Sequence, residues 1–306
     1  MVGREPELTL PPIDGAAVRT LTANGLSFTA HEMGEGPLVL CLHGFPDTPQ
    51  TFRLMLPALA KAGFRAVAVT LRGYEPSSQP ADNDYSVASL AEDVRGWMDA
   101  LGADKAHLIG HDWGVNLAYG AAALCPERIG RVVMMSVPQP AAFAGVMAAD
   151  YEQTRRSWYV YWFQVRGAAE LLLPANAFAF LKRLWRDWSP NWVDTEPLAN
   201  AEAALSGPGV LAAALEYYRT AFDFAHPRAG ESQRLLSSPI AAPTLGLCGA
   251  DDGCISAAVF DAAMPPAFFT GGVRTMTVPR AGHFVHLEQP GFVHDAILAH
   301  LDAESR

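Results

Sequence analysis

The chain has 306 residues, half of them apolar and 18% charged, with a formal net charge of −10 at neutral pH. That balance is enough to bury a large core, which excludes disorder as a default and fits one big α/β domain with an insertion as well as it fits two domains. No run of Lys and Arg is long enough to form a phosphate-binding stripe, which argues against a nucleic-acid partner, and no stretch of about 18 uninterrupted apolar residues points to a membrane span.

In chain order, the N-terminus from Met1 to Asp14 is polar and proline-bearing, unlike the apolar centre of a leader peptide. The four cysteines, Cys41, Cys125, Cys248 and Cys254, lack metal-ligand spacing. Together these features lead us to expect a reduced, cytoplasmic location. Short apolar runs follow at Leu38–Leu42, Ala66–Val69, Ala106–Ile109, Val132–Val137, Thr244–Cys248 and Arg274–Val278, alternating with helix-period segments. This is the pattern of a parallel sheet whose strands are buried on both faces beneath helices. Between Pro138 and Pro243 the pattern becomes helical and tryptophan-rich, with Trp158, Trp162, Trp185, Trp188 and Trp192. The expected organisation is therefore a core domain from residues 1–138 and 241–306, with an all-helical cap over 139–240 and an apolar pocket between them.

The third run leads directly into Gly110-His111-Asp112-Trp113-Gly114, followed by a helix-like stretch. This is the shape of a nucleophile elbow, a sharp strand-to-helix turn in which glycines leave the central side chain exposed above the sheet. The usual occupant is serine, and here it is aspartate. A serine attacking a saturated carbon would leave an ether that water cannot cleave, whereas an aspartate leaves a hydrolysable alkyl ester. The elbow therefore points to hydrolysis at an sp3 electrophile, an epoxide or an alkyl halide.

The rest of such a site should stand at other strand ends. His43-Gly44-Phe45-Pro46 follows the first run, so that the backbone N–H groups of Phe45 and Trp113 are the expected oxyanion donors. Asp251 and Asp252 follow the fifth run, and His283 follows the sixth. His283 is the expected general base, and one of the two aspartates, with Asp252 favoured, is expected to orient it. His43, His111 and His286 read as supporting groups. Nucleophile, acid and histidine thus occur in the chain order of an elbow hydrolase.

On these motifs the chain resembles the α/β-hydrolase superfamily, and within it the branch of epoxide hydrolases and haloalkane dehalogenases. The resemblance rests on H-G-F-P (43–46), R-G-Y (72–74), G-H-D-W-G (110–114), S-V-P-Q-P (136–140) and G-H-F-V-H-L-E-Q-P (282–290). The segment after the second run reads Leu71-Arg72-Gly73-Tyr74-Glu75, where the family often has aspartate before the arginine and glycine after the tyrosine. The resemblance implies an α/β-hydrolase fold and two cap tyrosines that hydrogen-bond an epoxide oxygen. The segments Trp158–Gln164 and Leu215–Arg219 align Tyr159 and Tyr218 with that pair, leaving Tyr161 and Tyr217 as adjacent candidates. Trp158 and Phe163, with Phe45 and Trp113, are then expected to line the substrate pocket.

Epoxide opening is favoured over dehalogenation because Phe45 stands where dehalogenases often carry an asparagine donor, and Trp113 where fluoroacetate-type enzymes carry arginine. The expected activity is conversion of a small-molecule epoxide and water to a vicinal diol, with no cofactor and no metal. Haloalkane dehalogenation is the alternative, and a non-catalytic binder on a hydrolase fold is the second. Oligomeric state stays open, with a homodimer among the outcomes.

Overall fold

The structure is a computed structural model that describes residues 11–192 and 194–302, so Met1 to Leu10 of the polar N-terminal segment lie outside the described residues. Eight strands form one sheet: β1 (Ala17–Ala23), β2 (Leu26–Met33), β3 (Leu38–Leu42), β4 (Arg65–Val69), β5 (Ala106–His111), β6 (Ile129–Met135), β7 (Thr244–Gly249) and β8 (Val273–Val278). Their order is β1-β2-β4-β3-β5-β6-β7-β8, parallel from β4 to β8, with antiparallel pairing only for β1–β2 and β2–β4. The six apolar runs correspond to β3 through β8. The antiparallel pair β1–β2 was not among them, because β1 is largely exposed and carries no continuous apolar run. Its turn signal was nevertheless present: Asn24 and Gly25 both have positive φ, 51° and 76°, as a two-residue type I′ hairpin requires.

Alternate residues of β3 face opposite layers. Leu38, Leu40 and Leu42 pack with Val94, Trp97 and Leu117, while Val39 and Cys41 pack with Leu56, Leu59 and Val293. Helices α2 (Val87–Ala100) and α3 (Trp113–Leu124) therefore cover one face, and α1 (Met55–Lys61) and the C-terminal helix (Pro290–Leu301) the other. Arg72 of the R-G-Y segment clamps Asp93 on α2 through two hydrogen bonds of 2.6 and 2.7 Å, with both side chains almost fully buried.

Between β6 and β7 the described chain forms eight helices and no strand: α4 (Pro140–Ala149), α5 (Tyr151–Arg156), α6 (Trp158–Trp162), α7 (Ala168–Leu172), α8 (Ala175–Trp188), α9 (Glu196–Leu205), α10 (Val210–Phe222) and α11 (Ala229–Ser237). Helix α8 opens with a left-handed turn at Asn176, Ala177 and Phe178. Helix α11 packs against α2 and α3, so the last part of the helical stretch lies on the sheet-covering layer. After β7 come α12 (Ala257–Ala262), α13 (Val285–Glu288) and α14, the helix Pro290–Leu301 already described. Among the described residues no single helix is long and apolar enough to cross a membrane.

The sheet order also locates the site. The chain goes from β3 outward to β4, then returns past β3 to β5, so the C-terminal ends of β3 and β5 lie side by side where the winding reverses. Open α/β sheets bind ligands at that crevice.

Candidate active site

Asp112 stands between β5 and α3 with φ 51° and ψ −121°, a strained conformation for a residue with a Cβ. Close packing forces the turn. A Cβ on Gly114 would lie 2.0 Å from the Leu42 carbonyl oxygen, one on Gly110 2.5 Å from the Gly114 oxygen, and one on Gly44 2.4 Å from Asp112 Oδ1. Only glycine fits these three positions, and the result is an elbow pressed against the His43–Phe45 loop.

The Asp112 carboxylate is 5% exposed as a residue and its oxygens have different partners. Phe45 N–H donates to Oδ1 at 2.7 Å, while Oδ2 faces His283 Nε2 at 3.5 Å. Burial would raise the pKa of Asp112, but the hydrogen bond and charge of His283, with help from His111 and Phe45 N–H, hold it below the usual carboxylate range. On the other side of the imidazole, His283 Nδ1 lies 3.1 Å from Asp252 Oδ2. The second oxygen of Asp252 accepts the backbone N–H groups of Cys254 and Ile255 at 2.7 and 3.0 Å, which fixes the carboxylate in place. Burial opposes charge on His283, yet the Asp252 carboxylate and its neighbours outweigh it and push the imidazole well above its ordinary value. Asp251, the neighbouring alternative, is exposed and accepts from Asn191 instead.

The loop carrying His283 is strapped from several directions. Its N–H donates to Ser189 Oγ at 3.0 Å, Ser189 donates to Glu288, and Glu288 also accepts the Gly282 N–H at 2.8 Å. The His283 carbonyl accepts the His111 Nε2–H at 3.0 Å and the Ser136 hydroxyl. His43 accepts the Leu71 N–H on Nε2 and so carries its proton on Nδ1, toward the Gly44 carbonyl. Burial lowers His43 to about 4 and His111 to about 3, so both are neutral supports near pH 7. Ser136, Ser189 and Glu288 were not singled out from the sequence, since the straps they form join positions up to 147 residues apart.

Of the two helical-stretch tyrosine pairs, Tyr159 and Tyr218 come to the site. Tyr218 packs edge-on against Trp113, Phe45 and Phe163 with centroids 5.1, 5.5 and 5.0 Å away, and its ring lies 6.1 Å from that of Tyr159. Burial, and the charge of Asp112 among other causes, raise both phenols well above their ordinary value, keeping them as O–H donors. Tyr161 is half-exposed against Phe222, and Tyr217 donates to the Arg72 carbonyl at 2.7 Å. Phe163 is fully buried against Phe45. Trp158 is a correction: it is 45% exposed and packs on Phe180 and Trp162, away from Asp112. The tryptophan beside the site is Trp188, 5.0 Å from the Tyr159 ring and 5.2 Å from His283. Consecutive residues on α6 point about 100° apart, so when Tyr159 turns inward Trp158 turns out.

Two buried groups have side chains that could hold a cation. Asp47, His111 and His286 converge below the elbow, and Asp252, Cys254 and His283 converge within the site, each set with its ligand atoms within 4.8 Å of one another. Cys254 Sγ also lies 3.3 Å from the Tyr159 hydroxyl, a contact not anticipated from the sequence.

A family model for the alpha/beta hydrolase fold matches residues 37–290. The chain is 31% identical to epoxide hydrolase 4 of Mus musculus over 92% of its own length and 78% of that protein's, and 30% identical to an epoxide hydrolase of Caballeronia sordidicola over 96% of each. Among solved structures, an epoxide hydrolase from an endophytic Streptomyces superposes with a TM-score of 0.80 at 27% identity, covering 95% of this chain and 97% of that one. With the elbow, the sheet and these relatives in agreement, the chain belongs to the α/β-hydrolase fold family and, within it, to the epoxide hydrolase branch.

Proposed function

We propose that the protein hydrolyses small-molecule epoxides to vicinal diols through a covalent ester on Asp112, with residues 139–240 serving as the cap that carries Tyr159 and Tyr218 over a core of 1–138 and 241–306. The observation that carries this reading is the convergence of an ionised, elbow-mounted Asp112 with two buried phenol donors and a His283–Asp252 pair.

The epoxide oxygen takes hydrogen bonds from Tyr159 and Tyr218. Asp112 Oδ2, the oxygen not engaged by Phe45, attacks a ring carbon, and the C–O bond that breaks leaves an alkoxide that a tyrosine protonates. Oδ1 becomes the ester carbonyl oxygen, already seated on the Phe45 N–H, with Trp113 N–H as the second donor. Esterification removes the Asp112 charge and with it one of the carboxylates that hold His283 protonated. The imidazole then releases its proton and takes one from a water that attacks the ester carbon, oriented by Asp252 throughout. Collapse breaks the bond between that carbon and Oδ2 and, with a proton passing to the departing alkoxide, returns the carboxylate and the diol; the proton released by the imidazolium restores the tyrosine, and the one taken from water restores the imidazolium. Phe45, Trp113, Phe163 and Trp188 form the apolar walls.

The test is the intact mass of His283→Gln after exposure to an aryl epoxide and, separately, to a primary haloalkane. A gain equal to the whole epoxide supports the scheme. A gain equal to the haloalkane less hydrogen halide turns it into a dehalogenase, and no adduct in either tube favours a binding role.

A further inference from the structure

Cys254 is the one thiol placed against the reacting groups, while Cys41, Cys125 and Cys248 are buried elsewhere in the core. Its Sγ, one Asp252 oxygen and one His283 nitrogen lie within 4.8 Å of one another, and all three residues are buried. His283 Nε2 faces Asp112 Oδ2 at 3.5 Å, so the nitrogen that the trio offers is Nδ1, turned toward Asp252 Oδ2. Thiolate, imidazole and carboxylate are the ligand types of a tetrahedral zinc site, with metal–ligand distances of about 2.0–2.3 Å. Ligand atoms around such an ion stand roughly 3.3–3.7 Å apart by that geometry, so the trio needs to contract by about an ångström. The 3.1 Å separation of Asp252 Oδ2 and His283 Nδ1 is already close to one edge of that tetrahedron. The backbone N–H groups of Cys254 and Ile255 would continue to hold the second Asp252 oxygen, which supports a coordinating carboxylate from behind.

We propose that Asp252, Cys254 and His283 form a capture site for a soft divalent cation of the zinc and cadmium class, and that occupancy reversibly shuts off epoxide turnover. The binding itself rests on the geometry, and its inhibitory consequence rests on the function proposed above. Coordination exchanges the thiol proton and the imidazolium proton on Nδ1 for the metal ion and releases both to solvent, with no change of oxidation state. His283 then keeps its remaining proton on Nε2 and cannot accept one from water, and Cys254 is drawn away from Tyr159. A thiolate favours such ions over magnesium or calcium, which prefer oxygen ligands.

The experiment titrates the full chain with Cd²⁺ alone, reading the ultraviolet thiolate-to-cadmium absorption band, and in parallel with Zn²⁺, reading epoxide turnover and competition with a zinc-chelating dye. One Cd²⁺ per chain is expected, with the band lost in Cys254→Ala and affinity lowered at least about tenfold in both Cys254→Ala and His283→Gln, since even supporting residues carry that cost. Turnover by wild-type protein should fall as the site fills and return with a chelator, while Cys254→Ala, measured against its own metal-free rate, should need at least about tenfold more Zn²⁺ for the same inhibition. A band that persists in Cys254→Ala, equal zinc sensitivity in the two proteins, or no stoichiometric cadmium binding overturns the proposal. Binding with the expected variant pattern in a protein that turns over no epoxide would instead uphold the site and sink the functional reading.

Discussion

His283 Nε2 stands 3.5 Å from Asp112 Oδ2, near enough for each to set the charge of the other in the free protein. Asp112 is kept ionised and His283 protonated, with burial opposing charge on both. In the proposed scheme, ester formation removes one of the contacts that favour the imidazolium while Asp252 stays beside it, so that nucleophile and base act in sequence. Asp112→Ala should lower diol formation by at least about 10⁴-fold and give no covalent adduct, the loss typical of removing a nucleophile that acts with its base as a unit. Wild-type turnover by this variant in steady-state assays would end the covalent scheme.

Tyr159→Phe and Tyr218→Phe should each lower kcat by about tenfold or more, and the double variant by roughly 10²–10⁴-fold, the range of general acid assistance. Rates of ester formation under single-turnover conditions are the measurement, because in the proposed scheme the phenols act on the leaving oxygen. A primary haloalkane, which needs no proton, should be indifferent to either change, and an equal loss for both substrate classes would assign the tyrosines to packing.

Stability should respond to pH in two directions. Burial lowers His31, His43 and His300 from 6.5 to about 4, so the native state binds fewer protons than the unfolded chain, and stability is lost as pH falls from 6.5 toward 4. His283 is raised instead, so its contribution is full below the unfolded value and is lost as pH rises through the folded one. Urea denaturation across pH should show the alkaline decline in wild type and a weaker one in His283→Gln. An alkaline slope of the same size in both proteins would remove His283 as its source.

Gly114→Ala should destabilise the fold by more than about 4 kcal/mol, since its methyl would sit 2.0 Å from the Leu42 carbonyl oxygen, where neither backbone segment can yield. Gly145, where an added Cβ meets nothing within 4 Å, is the control, and Gly145→Ala should leave the melting temperature nearly unchanged.

Arg72→Ala should cost about 3–5 kcal/mol in chemical denaturation, because it leaves Asp93 buried with only Asn24 as a side-chain donor. Arg72→Lys should recover part of this, as an ammonium cannot reproduce the two-point contact. Equal stability of all three proteins would contradict the clamp.

The parts legible in the sequence were those dictated by neighbours along the chain. Strands β3 to β8 follow from apolar runs, and the elbow is legible in Gly110 and Gly114 flanking Asp112, although what excludes a Cβ at Gly114 is the Leu42 carbonyl oxygen of β3. The Asn24-Gly25 turn is equally local, but β1 is largely exposed and the buried centre of β2, Phe28 to His31, includes Thr29 and His31, so neither strand carries a continuous apolar run.

What the tertiary structure alone decided was which way side chains face once distant elements dock. Asp251 and Asp252 are adjacent in sequence, yet one meets solvent and the other His283, a residue 31 positions away. On α6 the packing of Phe163 against Phe45 turns Tyr159 inward and Trp158 outward, while Trp188 arrives beside His283 from α8. Cys254 meets Tyr159 across 95 positions. Residue type and spacing determine which chemistry the chain carries, but the rotation of a helix about its axis is set by the apolar surfaces it buries, and those come together only in the folded molecule.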